Sequence, residues 1–471
     1  MKKAHLIWVI VILALVFRVG FAFHTPVRIW DETVYANLGH DLSEDPLHYS
    51  LEGAGWSDFI PGGDGKYGWP NIGFRAPLLP YTLSIFYLLN IESLIIFFIP
   101  LIGALSVFLI YLLGKKMFNE DVGIFSALFL ALIPLHVINS GFVLTGVYAI
   151  FFVLLGSLAF WKAFEDGHVN YAFVCGVLLG LGVLARYTIL WILPIFPIYL
   201  LMKKSFSKNI RGVVYTLISF FVVLIPWFIY GIAFYGNFLG AFIHGGVAAK
   251  YWGGVQGHLF YFKYWFMMFS AIGILFLFGL ASEIKKKFRE RGSLFMGIFF
   301  FVFLFFSFFI AHKEQRFLLP LVIPVCILSA RYISRIGKKE LIIGIVSVIA
   351  IGSIASQGYY LFSDSYNGNN KCYGEALDFI AEIPGDVLVI NDESAVVYFY
   401  TGKRTAFLPG KSVENIQGRA KGEETYLLYT SVNMPLYIEE NEEALIEWEN
   451  NFERIFECDW DWGLSRIYKI S

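Results

Sequence analysis

Trp30-Asp31-Glu32-Thr33-Val34-Tyr35 follows closely on the apolar run of residues 5–23, and His312-Lys313-Glu314-Gln315-Arg316-Phe317 is wedged between two later apolar runs. A stretch of about 20 apolar residues is long enough to span a bilayer. Such stretches recur as far as residue 357 of a 471-residue chain that is 57% hydrophobic and only 15% charged. This composition reads as a polytopic α-helical membrane protein and leaves the soluble classes without support. Ionisable groups beside the hydrocarbon layer are costly, so a carboxylate pair and a basic cluster at the mouths of such helices mark a working site.

The net charge of −1 hides an asymmetry: residues 360–471 hold 20 Asp/Glu against 9 Lys/Arg, a net of −11, and the rest of the chain is basic. The split implies a transmembrane domain over 1–358, with an external loop at 24–75, and an acidic domain over 359–471. The tail reads as α/β. Strand-like runs lie at 386–390, 405–408, 426–429 and 464–470, and helical spacing covers 441–456. Cys175 and Cys326 lie in apolar runs, whereas Cys372 and Cys458 both lie in the tail and have a disulfide open to them in an oxidising space. The basic start and apolar run are read as a retained first helix, because no small-residue cleavage site follows before Arg28.

Cytoplasmic loops carry the Lys/Arg excess. The basic loops Lys115-Lys116, Lys203 to Arg211, Lys285 to Arg291 and Arg335 to Lys339 all fall on one side if about eleven spans lie near 5–23, 93–113, 121–138, 143–161, 171–185, 188–202, 212–234, 264–281, 293–310, 317–334 and 341–357. In this arrangement Arg75 to Asn90, with prolines at 77 and 80, is interfacial or re-entrant rather than a span. Loop 24–75, loop 235–263, Arg186, the 312–317 cluster and the acidic tail then all face the non-cytoplasmic side.

Several of these residues suit catalysis or ligand binding. One carboxylate of Asp31-Glu32 suits a base toward an acceptor hydroxyl while the other orients it; both also suit the acidic first turn of a helix. His312, Lys313 and Arg316 offer three cationic donors suited to phosphate. Arg75 and Arg186 either contact that phosphate or snorkel to the interface. Trp30, Trp56, Trp69, Tyr251 and Trp252 either stack on a sugar or belong to an interfacial aromatic belt. Asp58 and Asp64 lie in a Gly-rich stretch whose spacing matches no hard-cation loop. No P-loop, GxGxxG or zinc spacing is present, and no nucleic-acid partner is indicated.

Taken together, these stretches resemble the GT-C glycosyltransferases, which use polyprenyl-phosphate sugars. Trp30-Asp31-Glu32 with Tyr35-Ala36, Arg75-Ala76-Pro77-Leu78-Leu79-Pro80 and the glycine-rich Gly180-Leu181-Gly182 run ending at Arg186 resemble the protein O-mannosyltransferase and aminoarabinose transferase branch (family 39-like). Pro226-Trp227 with Gly236-Asn237 fits the same branch. His312-Lys313-Glu314-Gln315-Arg316-Phe317 with Pro320 is similar to the family 22 mannosyltransferases. The likeness spans residues 5–335, and the tail is similar in kind rather than in motif. At Gly146, in Leu144-Thr145-Gly146, related enzymes often carry a second acid; Glu314 is a candidate replacement, and a divalent metal, Mg or Mn, is left open.

The resemblance implies a GT-C fold of about eleven spans with a small C-terminal α/β domain. It also implies an inverting transfer of a mannose-like hexose or pentose from a polyprenyl- or dolichyl-phosphate donor to a hydroxyl on protein, lipid or glycan. Asp31 and Glu32 are the expected catalytic pair, with Arg75, Arg186, His312, Lys313 and Arg316 on the donor phosphate. Trp30, Tyr35, Glu314 and Trp252 are expected to contact substrate, at the non-cytoplasmic face of a prokaryotic, including archaeal, cell membrane. Two alternatives stand beside it. An oligosaccharyltransferase is suggested by Asp459-Trp460-Asp461-Trp462-Gly463, and a lipid or polyanion transporter by the basic cavity.

Overall fold

The computed structural model describes residues 3–24, 30–51, 73–252, 257–309, 312–362, 364–408, 412–420, 422–431, 438–460 and 463–470. Arg28, Trp56, Asp58, Asp64, Trp69, Asp461 and Trp462 lie outside the described residues, as do the side chains of Tyr251 and Trp252. The chain divides into two compact units. One draws on Met1–Phe23, Phe74–Leu79 and Ser93–Tyr360; the other takes its described residues from His24–Gly73, Pro80–Glu92 and Leu361–Ser471. The tail expected from charge to be a domain by itself thus shares its unit with the first external segment.

The first unit is a helical bundle. Among the described residues, eight helices are long and apolar enough to cross a membrane, or nine if a bent pair counts as one span. About eleven spans are expected from the sequence. The eight and the bent pair correspond to nine of the expected segments, and the other two are the shorter apolar helices Asn170–Ala185 and Tyr187–Met202. At 1.5 Å per residue each of these reaches only about 24 Å, short of the hydrocarbon thickness of about 30 Å. They are separated at Arg186, whose extended backbone (φ −159°, ψ 120°) interrupts the helix. Leu78–Leu88 is likewise a short apolar helix of 11 residues, in keeping with the reading that this stretch does not cross. Rows of exposed large apolar side chains, such as Trp8, Ile12 and Val16 or Leu217, Phe221 and Ile225, suit a lipid solvent.

The bent pair has a local cause. Glu120–Leu132 and Pro134–Ser140 meet at 59°. Pro134 has no N–H, which leaves the Leu130 carbonyl without its helical donor, and it holds Ile133 in an extended conformation (φ −65°, ψ 120°). Two distant side chains fill the gap. Arg18, fully buried in the first helix, donates through Nη2 to the Leu130 carbonyl at 3.0 Å, and Gln357 Nε2 donates to the Leu132 carbonyl at 2.8 Å. Arg18 also donates to the Ala14 carbonyl and to His136 Nδ1, each at 2.9 Å.

The basic loops assigned to one side do converge in this unit. Glu165 binds Lys203, Arg291 (2.9 Å) and the Tyr199 hydroxyl (2.9 Å), and Lys116 pairs with Asp166 at 2.6 Å. Arg335 pairs with Glu283 and Glu290, and Arg331 with Glu290 at 2.5 Å. Loops far apart in sequence therefore share one end of the bundle.

The second unit is built on a five-stranded sheet of β1 (Leu388–Asn391), β2 (Arg404–Phe407), β3 (Thr425–Thr430), β4 (Glu453–Trp460) and β5 (Gly463–Lys469), in the order β2-β1-β3-β5-β4. β1 runs parallel to β2 and β3, and β5 antiparallel to β3 and β4. Strands expected at 386–390, 405–408, 426–429 and 464–470 match β1, β2, β3 and β5. The helix expected over 441–456 is corrected: it occupies Ile438–Asn451, and the residues beyond turn into β4. Helical spacing persisted by accident there, because Phe452 packs with Trp448 in one core while Phe456 lies against the core on the other face. Helix Trp30–Glu44 joins this unit through Asn37, which donates to the Ala395 carbonyl at 2.8 Å, and through Trp30, which packs on the core around Tyr373, Leu377 and Val397. Cys372 and Cys458 form a disulfide with Cα atoms 5.3 Å apart, 86 residues apart in sequence. Closing a loop of that length adds about 4–5 kcal/mol by limiting the unfolded chain.

If the caps at the broken span are needed, Arg18→Met and Gln357→Leu will each lower the melting temperature of purified protein. The expected losses are about 1–3 and about 1 kcal/mol; an unchanged melting temperature in both variants would show that the break stands without them. A second test concerns Asp41, whose carboxyl burial pushes up to about 6 against the opposing hydrogen bond and charge of His40. Folding favours its protonated form, so that contribution is full below the ordinary value of 3.8 and is lost as pH rises through about 6. Asp41→Asn should therefore stabilise the protein by about 1–2 kcal/mol near pH 7.5 and make little difference near pH 4, as read from paired thermal melts.

Candidate functional site

The carboxylate pair belongs to the second unit and the cationic cluster to the first. Asp31 and Glu32 occupy the first turn of helix Trp30–Glu44, where the exposed amide groups and the helix dipole favour negative charge. The two differ in setting: Glu32 is 1% exposed, whereas Asp31 is only half-buried and open to approach. Tyr35 is buried one turn on, at 7% exposure. Trp30 is partly buried and packs against the domain core.

In the first unit the structure brings together most of the expected cations. The chain leaves helix Asn170–Ala185 at Arg186, and the following backbone turns as a 3-10 segment, Tyr187–Trp191. Arg186 Nη1 donates to Thr145 Oγ1 at 3.2 Å and Nε to Thr188 Oγ1 at 3.3 Å, and its guanidinium lies 5.3 Å from the centroid of the Phe317 ring. Phe317 belongs to the same short stretch as His312, Lys313 and Arg316, so Arg186 and the 312–317 cluster share one locus. Arg75 is tied nearby: the Tyr187 hydroxyl donates to its carbonyl at 3.2 Å, and Trp227 Nε1 donates to that hydroxyl at 2.7 Å. Pro226-Trp227, noted in the sequence as a motif, thus supports the turn that carries Arg75.

Glu314 sits inside the cluster. It accepts from His312 Nε2 at 2.8 Å and pairs with Arg316. Burial alone would raise its carboxyl, but Arg316 foremost, then His312 and Arg186, hold it below the usual carboxylate range. The carboxylate is therefore ionised at neutral pH and fixes the Arg316 guanidinium and the His312 ring, a positioning task. Lys313 is 3% exposed. Arg316 and Arg186 thus gather about one carboxylate in a partly desolvated place, a setting that suits a phosphate.

Gly146 explains the missing second acid. A Cβ there would come within 2.5 Å of Leu319 Cδ1 and 3.8 Å of Arg186 Nη1. Leu319 fills the space of a side chain, at a point beside the arginine an acid would meet. Among the described residues no group of three or more His, Cys, Asp and Glu side chains could hold a metal ion. Sequence reasoning missed the Thr145 and Thr188 hydroxyls, although both stand beside quoted residues in Leu144-Thr145 and Tyr187-Thr188. Trp460 and Gly463 of the tail motif are register partners in the β4–β5 pair.

Comparison with known proteins agrees with this architecture. Residues 74–230 match the model of the dolichyl-phosphate-mannose-protein mannosyltransferase family. No curated protein matches the chain by sequence comparison. Among solved structures, ArnT from Cupriavidus metallidurans bound to undecaprenyl phosphate superposes with a TM-score of 0.76 at 12% identity, covering 100% of this chain and 99% of that one. The oligosaccharyltransferase of Archaeoglobus fulgidus, solved with zinc and sulfate, gives 0.63 at 15% identity over 96% of this chain and 72% of that one. The same archaeal enzyme, AglB, in complex with an inhibitory peptide and a dolichol-phosphate gives 0.62 at 14% identity over 98% and 74%. The chain is a multi-pass membrane protein with the fold of the GT-C glycosyltransferases, and its central segment resembles their protein-mannosyltransferase branch.

Proposed function

We propose that the protein transfers a single sugar from a polyprenyl-phosphate donor to a hydroxyl acceptor, with inversion at the anomeric carbon. The observation that carries this reading is the Arg186–Thr145–Phe317–Glu314–Arg316 cluster, a partly buried gathering of two arginines about one carboxylate in a GT-C bundle. Asp31, the more accessible carboxylate, takes the acceptor's hydroxyl proton, and Glu32 fixes the geometry. The acceptor oxygen attacks the anomeric carbon from the face opposite the phosphate. The bond from that carbon to the phosphate oxygen breaks, and its electron pair stays on the lipid phosphate. Arg316, Lys313 and His312, with Arg186 and Arg75, stabilise that anion, so the leaving group needs no proton.

The reaction lies on the non-cytoplasmic side in this reading, and the acidic α/β region works as an external domain. Two features support it: the convergence of basic loops at one end of the bundle, and the Cys372–Cys458 disulfide, since such bonds persist in oxidising compartments. The likeness to the archaeal oligosaccharyltransferase favours a second reading, transfer of a whole glycan to an Asn-x-Ser/Thr peptide.

Purified protein incubated with polyprenyl-phosphate mannose or glucose is expected to release free polyprenyl phosphate. Asp31→Asn should slow that release by roughly 100-fold or more at unchanged expression. Turnover at the wild-type rate would remove Asp31 from the mechanism, and transfer of a complete glycan to a sequon peptide would favour the second reading. For sidedness, the expected result in intact cells is that Cys372 and Cys458 react with a maleimide only after reduction by an agent that does not cross the membrane. Labelling without reduction would contradict the external location.

A further inference from the structure

We propose that the Tyr261 hydroxyl binds the lipid donor by donating its hydrogen to a phosphate oxygen, alongside Arg186 and Arg316. The proposal rests on the reading of the chain as a polyprenyl-phosphate-dependent transferase and assigns that site a residue no motif had marked.

Tyr261 lies on the four-residue helix Phe260–Lys263, just before the apolar helix Trp265–Lys285. Its side chain is 2% exposed, among the largest fully enclosed in the protein. Yet its hydroxyl has no hydrogen-bond partner among the described residues. Such an orphan is unfavourable, because the group has lost water and gained nothing, and a buried polar atom left this way calls for an explanation. Phenylalanine would fill the same space without that cost, so packing does not account for the oxygen.

The surroundings say what would satisfy it. The charges acting on the hydroxyl are those of Glu314 and Arg186, members of the cationic locus. Glu314 already serves His312 through one oxygen and Arg316 through the other. His312 Nδ1 is a second buried atom without a partner in the same cluster. The Tyr261 hydroxyl thus leaves a buried donor unsatisfied beside a cationic locus, where an anion with several acceptor oxygens would meet it. Burial pushes the phenol's ionisation upward, with Glu314 adding to the shift and Arg186 opposing it, so the group stays protonated and serves as a donor. An ionised phosphate offers acceptors only, which fits a phenol donor better than it fits a second carboxylate.

Tyr261→Phe removes one oxygen and nothing else. The measurement is the Kd for undecaprenyl phosphate in detergent micelles, with undecaprenol as the headgroup-free control, together with the ligand-free melting temperature. Affinity for the phosphate is expected to fall roughly tenfold or more, as for a hydrogen bond to a charged group, with undecaprenol unaffected and the melting temperature unchanged or higher. Equal affinity of variant and wild type for undecaprenyl phosphate would overturn the proposal, and so would an equal loss for undecaprenol. Arg316→Ala separates the two levels. If it weakens phosphate binding while Tyr261→Phe does not, the cationic site stands and the tyrosine assignment falls. If wild-type protein does not bind undecaprenyl phosphate, the underlying reading fails and takes the assignment with it.

Discussion

The bundle depends on how it satisfies backbone groups freed in an apolar interior. Pro134 breaks an apolar helix pair where the side chains around it are buried, and a carbonyl left bare there is destabilising by an amount comparable to a whole hydrogen bond. Arg18 from the first helix and Gln357 from the last candidate span meet the two exposed carbonyls. The first helix, the broken span and the late helix are thereby tied at one point. The break also sets the exit of the chain from the span. Pro134–Ser140 runs into Gly141 to Leu144, and helix Thr145–Phe164 then starts with the residue whose hydroxyl receives Arg186. A structural constraint in the interior and the placement of Arg186 are parts of the same piece of chain.

Much of this was legible because lipid is an unforgiving solvent. Apolar runs and the positions of Lys115-Lys116, Lys203 and Arg335 marked the spans and their common end without reference to any partner. The β-branched run at 386–390 and the alternating residues at 464–470 marked strands for similarly local reasons. What stayed hidden depended on distant partners. Nothing in Trp30 signals that it packs on a core that includes Leu377 and Val397, more than three hundred residues away in sequence. Phe456 sits at helical spacing from Phe452 yet belongs to a strand, because pairing with β5 outweighs local preference. The division at Arg186 was visible as a motif, but its extended backbone, which leaves two short helices in place of full spans, was not.

The candidate site shows the same mixture. Its ionisable residues stood out against an oily background, so Asp31, Glu32, Arg186 and the 312–317 cluster were found by their cost alone. Their division of labour required coordinates. Glu314, first a candidate for a missing acid, proves to be the counter-ion that orients His312 and Arg316. Gly146, first a gap in a motif, proves to be a place filled by Leu319.

The sheet order leaves β4 at an edge, paired on one side only. An open edge is a template for another chain's strand. Here the edge strand carries Glu453, Arg454, Glu457 and Asp459, with Arg454 engaged by Glu449 and Glu457. A second copy approaching edge to edge would set these carboxylates against their own kind and break the pairs that hold Arg454. The acidity that first marked the tail as a separate domain therefore also makes its sheet a poor seed for aggregation.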